Sequence, residues 1–224
     1  MGMKKIIFIS DTHGKHDLLT DDINALIYQS PVDLDNTIII HSGDVSNVGK
    51  INEINQFTNW FSKFDAKYKI FIAGNHDFAF ETIRHRNDIG ISIPNGVIYL
   101  MDEMVEIDGL KIYGSPWQPR FYDWAFNVDR GDAIAKKWEP ITKGLDILIT
   151  HGPPFGILDD TFQGIRVGCE ELYKKVVEVK PKYHVFGHIH YGYGTRQFND
   201  TFFINASSLG ENYRYENKPI VVFI

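Results

Sequence analysis

Five apolar segments of the chain each end in a short polar turn, and this repeat is the main structural signal of the sequence. Each segment is rich in Ile, Val and Phe and is short, as is typical of strands buried on both faces of a sheet. The segments are Lys4–Ser10, Asn36–Ser42, Tyr68–Gly74, Leu145–Thr150 and Tyr183–Gly187. Amphipathic stretches between them, such as INEINQFTNWFSKF after the second segment, predict helices.

The middle and the end of the chain carry further strand signals. The stretch MVEIDGLKIYG predicts a β-hairpin with Asp108 and Gly109 as its two-residue turn. The stretches TRQFNDTFFINASS and KPIVVFI predict more strands. No repeat, low-complexity tract or long Pro/Ser linker marks a domain boundary. The sequence therefore predicts an α/β sandwich of two mostly parallel or mixed sheets with helices outside, in a single domain over residues 1–224.

The overall composition narrows the class of protein. The 224 residues carry a net charge of -6, which argues against a nucleic-acid-binding or polybasic membrane surface. The single cysteine, Cys169, excludes an intrachain disulfide framework and fits a reducing compartment. The first apolar run is followed at once by Asp11, so it predicts a strand rather than a signal peptide. No stretch approaches the ~20 apolar residues of a membrane span, and a cytoplasmic location is expected.

Side chains that bind metal or transfer protons follow all five buried segments. In open α/β sheets, ligands bind beyond the carboxyl ends of the strands. Each turn alone is ordinary, because Asp, Asn and Gly are common turn residues. Five such turns together favour one reaction centre over five unrelated turns. The candidates are Asp11, His13, Asp44, Asn75, His76, Asp77, His151, His188 and His190.

The donor atoms of these candidates indicate a metal centre. They are imidazole nitrogens and carboxylate or amide oxygens, a set that suits Mn, Fe, Zn, Ni or Co better than an all-oxygen Mg or Ca site. The absence of thiolates also argues against a structural zinc site. Seven candidate ligands are too many for one open catalytic ion and fit two ions that share a carboxylate. Two ions about 3.5–4 Å apart are a common solution for in-line displacement at phosphorus.

The motifs resemble the five-block signature of the calcineurin-like metallophosphoesterases. The blocks occur in the family's order, as Asp11-x-His13, Gly43-Asp44, Gly74-Asn75-His76-Asp77, His151 and Gly187-His188-x-His190. The resemblance implies a four-layer α/β/β/α sandwich, the metallo-dependent phosphatase fold, with two bound metal ions, of which manganese is the favoured candidate. It also implies roles for the candidate residues. Asp11, His13 and His190 would bind one metal, Asn75, His151 and His188 the other, and Asp44 both.

The resemblance implies two further roles next to the metals. His76 would lie near the leaving group without binding metal, and Asp77 would orient a histidine by a hydrogen bond. The expected chemistry is the attack of a metal-bridging hydroxide on phosphorus, with His76 protonating or stabilising the leaving oxygen.

Three other segments are similar to a narrower group within this family. YGSPWQPRFYDWAFN, SGDVSNVG and RVGCEEL resemble the animal brain-type metallophosphoesterase-domain proteins and their microbial relatives, which are similar to class III cyclic-nucleotide phosphodiesterases. This resemblance implies a phosphodiesterase acting on small nucleotide-like substrates. A phosphomonoesterase, including a protein phosphatase, remains the alternative. A nuclease is less favoured because the chain lacks a basic stripe, and a non-catalytic scaffold because every ligand position is retained.

Two arginines are candidates for substrate binding. Arg120 lies in the aromatic segment SPWQPRFYDW, which is either a wall that stacks a base and offers Arg120 to phosphate or a cluster that packs onto the core. Arg166 precedes a helix predicted over Cys169–Val179. The N-terminus of this helix either helps to bind an anion, with Arg166 adding charge, or is an ordinary capped helix end without a ligand. The remaining histidines, which lie outside the motifs, are interpreted as structural: His16, His41, His85 and His184.

Overall fold

The first three buried segments form neighbouring parallel strands, in a computed structural model that describes residues 2–29, 32, 34–82 and 90–224. Five strands make the first sheet, in the order β13-β1-β2-β3-β4, with β13 antiparallel to β1 and the other pairs parallel. Their bounds are β1 Lys5–Ile9, β2 Thr37–His41, β3 Tyr68–Phe71, β4 Val97–Tyr99 and β13 Ile220–Phe223.

The other two buried segments lie at the centre of a second sheet of six strands, in the order β11-β12-β10-β9-β6-β5. Its strands are β5 Glu103–Ile107, β6 Leu110–Ser115, β9 Ile147–Thr150, β10 Tyr183–Phe186, β11 Gly194–Phe198 and β12 Thr201–Asn205. The four inner strands are parallel, and both edge strands are antiparallel to their neighbours. The predicted hairpin is confirmed as β5 and β6, since Ile107 pairs with Leu110 around Asp108 and Gly109. A separate parallel pair joins β7 Gln118–Pro119 to β8 Asn127–Val128.

Helices connect most of the parallel strands. They are α1 Thr20–Tyr28, α2 Ile51–Ser62, α3 Phe78–Thr82, α4 Asp132–Trp138 and α5 Glu170–Val179, with short 3-10 turns at His16–Leu19, Leu34–Asn36 and His190–Gly192. The helix predicted from Cys169 begins one residue later, because Cys169 is the N-cap and its Sγ accepts a hydrogen bond from the Leu172 amide. Within the described residues, no helix combines the length and the apolar character needed to cross a lipid bilayer.

Alternating residues of the strands divide between two sides of each sheet, and this alternation produces the layers. Ile6 and Phe8 of β1 pack between the sheets, against residues such as Ile149 of β9. Ile7 and Ile9 face the other way, onto α1 and α2. The outer face of the second sheet packs on α4 and α5 through a third apolar cluster. The predicted four-layer α/β/β/α sandwich of two mixed sheets is therefore confirmed.

One buried lysine fastens α1 to the first sheet. Lys5 is 1% exposed, and its Nζ donates hydrogen bonds of 2.8 Å to the carbonyl oxygens of Leu26 and Ile27. These carbonyls lie in the last turn of α1, where helical partners are missing and a cation interacts favourably with the helix dipole. Lys5 thus satisfies helix-end acceptors that burial would otherwise leave unpaired.

Candidate metal centre

The carboxyl ends of both sheets meet at one edge of the molecule and bring the predicted site residues together. Asp11, Asp44 and Asn75 follow strands of the first sheet, while His151 and His188 follow strands of the second. An isolated parallel bridge between Ser10 and Ser207 links the two sheets at this edge. Five chain segments that are far apart in sequence therefore converge, as the motif pattern predicts.

One group of donor atoms gathers Asp11, His13 and His190. The Nε2 atoms of His13 and His190 lie 3.4 Å apart, and Oδ1 of Asp11 lies 3.9 Å from the first and 3.5 Å from the second. Ligand atoms on one ion with bonds of about 2.1 Å are themselves about 3.0–3.4 Å apart. The three donors therefore have nearly the spacing that a single ion requires.

A second group gathers Asn75, His151 and His188 around Asp44. Nε2 of His151 lies 2.8 Å from Oδ1 of Asn75 and 3.3 Å from Oδ2 of Asp44. The rings of His151 and His188 are 5.0 Å apart between centroids. The same Asp44 oxygen lies 3.7 Å from Nε2 of His13 in the first group. Asp44 is thus the carboxylate that both groups share.

The hydrogen bonds behind the imidazoles fit metal binding. Nδ1–H of His151 donates to the Ser42 carbonyl and Nδ1–H of His190 to the Gly210 carbonyl, each at 3.0 Å. Metal-binding histidines almost always donate their second ring N–H in this way, which turns the other nitrogen towards the ion. The residues present therefore fit a pair of divalent ions.

Charge in the centre is balanced by paired acids and bases. Burial raises the pKa of the Asp11 carboxyl, but its hydrogen bond with His190 and the charge of that residue hold the pKa well below its usual value. Burial opposes protonation of His151 and His190, yet the nearby carboxylates raise the pKa of both imidazoles to about 9. For His188 burial dominates and lowers the pKa to about 3. Without metal, two imidazolium groups therefore neutralise the two carboxylates.

Four of the candidate ligands have a strained backbone. Asp11, His13, Asp44 and His188 have φ angles of 53°, 42°, 57° and 65°, in the left-handed region that non-glycine residues rarely adopt. Such strain costs of order 1–3 kcal/mol per residue and persists where the surroundings hold it, commonly at functional sites. Four strained residues in one cluster indicate that the strand ends are shaped for the site.

His76 lies beside the centre, and Asp77 bonds to the backbone of two neighbouring loops. Nδ1 of His76 donates to the Asn47 carbonyl at 2.7 Å, so a backbone oxygen orients this imidazole. The buried Asp77 carboxylate accepts hydrogen bonds from the Gly74, Val45 and Ser46 amides and from the Ser46 hydroxyl, at 2.6–3.1 Å. Through these contacts Asp77 ties together the loops after β2 and β3. That Asp77 orients a histidine stays a prediction.

Two histidines outside the motifs brace the site from behind. Nδ1 of His41 accepts from the Gly43 amide at 3.2 Å, and its Nε2–H donates to Thr12 at 3.0 Å. Nε2 of His184 lies 2.8 Å from the Thr150 hydroxyl, which donates to the Gly152 carbonyl. Burial lowers the pKa of both His41 and His184 to about 3, so each is neutral. Two more histidines lie outside the motifs. His16 packs on Trp60, and His85 lies outside the described residues.

Three further groups complete the candidate centre. The Ser207 hydroxyl donates to Oδ2 of Asp11 at 2.9 Å, and the Gly210 carbonyl accepts from His190. The Tyr213 ring lies 4.9 Å from the ring of His13 between centroids. All three follow β12. Ser207 lies in the stretch NASS, whose small polar residues are typical either of a site lining or of a strand-end turn, whereas no motif marks Gly210 or Tyr213.

A cavity of about 350 Å³ opens beside the second group and contains one of the two predicted arginines. Arg120 and Phe121 line it together with His188 and Tyr213. Nε of Arg120 also pairs with Asp129 at 2.6 Å. Arg166 does not line this cavity, and its Nε lies 3.5 Å from Oδ1 of Asp160. Arg130 lines the cavity as well.

Comparison with known proteins assigns the sequence family. The family model for calcineurin-like phosphoesterases matches residues 4–192, which include every predicted metal ligand. Metallophosphoesterase domain-containing protein 1 of Homo sapiens is 40% identical to this chain, over 99% of the chain and 71% of its own length.

Solved structures show the same fold. TT1561 of Thermus thermophilus superposes with a TM-score of 0.62 at 14% identity, over 91% of this chain and 89% of its own. Phosphopantetheinyl hydrolase (PptH) from Mycobacterium tuberculosis superposes with a TM-score of 0.58 at 16% identity, over 92% of this chain and 89% of its own. At these identities the likeness concerns the fold alone.

Proposed function

The chain belongs to the calcineurin-like phosphoesterase family, and on this basis we propose that it is a dinuclear metal-dependent phosphodiesterase acting on small nucleotide-like substrates. The observation that carries the proposal is the pair of donor groups joined by Asp44, whose Oδ2 lies 3.3 Å from His151 and 3.7 Å from His13. We propose Asp11, His13 and His190 as ligands of one ion, Asn75, His151 and His188 as ligands of the other, and Asp44 as the bridge.

The mixed nitrogen and oxygen donors favour manganese, with iron, zinc, nickel or cobalt as alternatives. When bound, the two ions would neutralise charge on the phosphate and lower the pKa of water. The ligands come from both sheets, which supports one metallophosphoesterase domain over residues 1–224.

His76 is the proposed acid for the leaving group. Its Nδ1–H is committed to the Asn47 carbonyl at 2.7 Å, so Nε2 is the ring nitrogen left for substrate. One ring nitrogen of His76 lies within 4.8 Å of ligand atoms of His13 and Asp44, and this closeness supports the proposed role. We propose that His76, as the imidazolium, donates the Nε2 proton to the oxygen that leaves phosphorus and remains as the neutral imidazole with its proton on Nδ1. General acid catalysis of this kind contributes about 10²–10⁴ in rate.

The cavity beside the centre supports a diester. Its volume of about 350 Å³ lies at the small end of the range for ligand pockets, about 300–1,000 Å³. A diester carries an organic group on each side of phosphorus, and the cavity offers room for one of them next to His188. Arg120 on its wall is the proposed partner of a substrate oxygen, and Arg166 the weaker candidate because it lies outside this lining.

The test is hydrolysis of bis-p-nitrophenyl phosphate against p-nitrophenyl phosphate, with Mn²⁺ added and with a chelator. We expect faster turnover of the diester and loss of activity with chelator. Faster turnover of the monoester would replace the proposal with a phosphomonoesterase. No turnover of either ester with both metal positions filled would indicate a non-catalytic scaffold.

A further inference from the structure

The loop Phe121–Asn127 packs against the loop that carries His76. Trp124 stacks on the His76 imidazole, with ring centroids 4.1 Å apart and planes 29° apart. The backbone amide of Ala125 donates to the Asn75 carbonyl at 3.1 Å. The two loops are therefore joined by a ring stack and by a backbone hydrogen bond next to it.

The side chain of Asn127 closes this loop and fixes its shape. Nδ2 of Asn127 donates to the carbonyls of Phe121 and Tyr122 at 3.2 and 2.9 Å, and Oδ1 accepts from the Phe121 amide at 3.2 Å. Tyr122 and Phe126 have φ angles of 49° and 57°, a conformation that costs energy for residues with side chains. The Phe126 amide is in turn bound by Oε1 of Glu81 at 2.8 Å. A strained loop held at several points presents Trp124 in one orientation.

The stack supplies a constraint that the Asn47 hydrogen bond cannot supply alone. The hydrogen bond holds Nδ1–H at the Asn47 carbonyl, but the torsion between Cβ and the ring of a histidine has broad wells. His76 is partly exposed, so water can compete for its Nδ1–H. The indole covers one face of the imidazole, and the ring of His13 meets the imidazole edge-on, 4.5 Å away between centroids. The imidazole is thus confined between two rings, and one of its nitrogens lies within 4.8 Å of ligand atoms of His13 and Asp44.

We propose that Trp124 is a positioning residue for His76: by stacking on the imidazole it holds Nε2 in line with the oxygen that leaves phosphorus. The inference rests on the proposed role of His76 as the acid for the leaving group. Trp124 lies outside all five motif blocks, and it is 48 residues away from His76 in the chain (124 minus 76).

The test compares kcat and KM on a phenyl ester and on the matching p-nitrophenyl ester. Both substrates are phosphodiesters or both are phosphomonoesters, according to which class the wild-type protein hydrolyses. A phenolate leaving group needs a proton, whereas p-nitrophenolate is a weak base and leaves without one. Misplacing a catalytic group by an ångström costs about 10²-fold. For Trp124→Leu we expect kcat on the phenyl ester to fall by about ten- to a hundredfold, kcat on the p-nitrophenyl ester to change by less than about threefold, and KM to stay constant. Trp124→Phe, which keeps an aromatic ring, should restore most of the lost rate.

The control in the same loop is Tyr122→Leu. Tyr122 is 77% exposed and does not line the cavity, so this variant should keep the wild-type ratio between the two esters. An equal loss in Tyr122→Leu and Trp124→Leu would overturn the inference, because it would show that the loop and not the stack matters. The inference is also overturned if Trp124→Leu keeps the wild-type ratio of kcat between the phenyl and p-nitrophenyl esters.

A second measurement does not depend on activity. In the metal-free protein, ring currents of the indole should shift the NMR signals of the His76 imidazole protons upfield, and Trp124→Leu should remove that shift. His76→Ala separates the two claims. Selective loss on the phenyl ester in His76→Ala but not in Trp124→Leu refutes the positioning role alone. Full activity of His76→Ala on both esters refutes the proposed role of His76 and the inference with it.

Discussion

Replacement of Gly187 by alanine should damage the metal centre through one steric contact. A Cβ at Gly187 would lie 1.9 Å from Oδ2 of Asp11 and 2.2 Å from Oγ of Ser10, whereas real Cβ contacts are essentially never shorter than 3.0 Å. The Asp11 carboxylate would have to move by about 1.1 Å, the difference between 3.0 and 1.9 Å. The backbone of Asp11 cannot follow easily, because it continues β1, which is paired on both sides by β2 and β13.

The displaced carboxylate would lose contacts that now hold it. Oδ2 of Asp11 accepts from the His188 amide at 3.0 Å and from the Ser207 hydroxyl at 2.9 Å. A shift of about 1 Å in a catalytic group costs about 10²-fold in rate, and overpacking a core costs about 1–3 kcal/mol of stability. We expect Gly187→Ala to lose at least about a hundredfold in turnover and to bind Mn²⁺ more weakly. Calorimetric titration with Mn²⁺ and urea unfolding measure the two effects.

Gly152→Ala is the matched control for this experiment. A Cβ at Gly152 would lie 3.7 Å from Cβ of Gln118 and 4.0 Å from Cδ2 of His188, which are ordinary contacts. Neither Gly152 nor Gly187 has a φ angle in the left-handed region, so backbone strain does not separate the two variants. Equal metal affinity and equal turnover in the two alanine variants would refute the steric argument.

Three further predictions concern stability and metal binding. Asp77→Ala removes the acceptor of three backbone amides and a hydroxyl, so urea unfolding should show a loss of about 3–5 kcal/mol. Lys5→Met keeps an apolar stem but leaves two helix-end carbonyls unpaired, and should lose about 1–3 kcal/mol in the same assay. Because His151 and His190 have pKa values of about 9 without metal, Mn²⁺ must displace their protons. At pH 7.5 calorimetry in buffers of different ionisation enthalpy should detect the release of about two protons, and metal affinity should rise with pH towards 9.

The sequence was sufficient to predict that the candidate residues come together, for a reason that is general to the fold. A run such as Thr37–His41 reads as a strand, and parallel strands place their carboxyl ends at one edge of a sheet. Polar residues after several such strands therefore come together without further information. The layers followed in the same way, because residues that alternate along β1 point to opposite faces.

The partner of each polar side chain could not be predicted from position alone. Asn75, His76 and Asp77 are adjacent, yet Asn75 faces His151, His76 bonds to the Asn47 carbonyl, and Asp77 bonds to backbone amides. These contacts depend on how the loops after β2 and β3 fold over each other. The Asn47 carbonyl is moreover a backbone group, which every residue possesses, so no residue type marks it.

The aromatic segment after β6 shows the same limit most clearly. The sequence allowed two interpretations, a wall of the substrate cavity or a cluster packed on the core, and each describes some residues of the segment. Nε1 of Trp117 donates to Oδ2 of Asp102 at 2.7 Å, and its half-buried ring packs against the core. Phe121 is 51% exposed and lines the cavity, while Trp124 covers His76. Aromatic composition favours burial in general, but the partner of each ring is a distant residue that composition cannot identify. A segment of this kind should therefore be tested residue by residue, and Trp117→Leu should reduce stability where Trp124→Leu alters the selectivity between leaving groups.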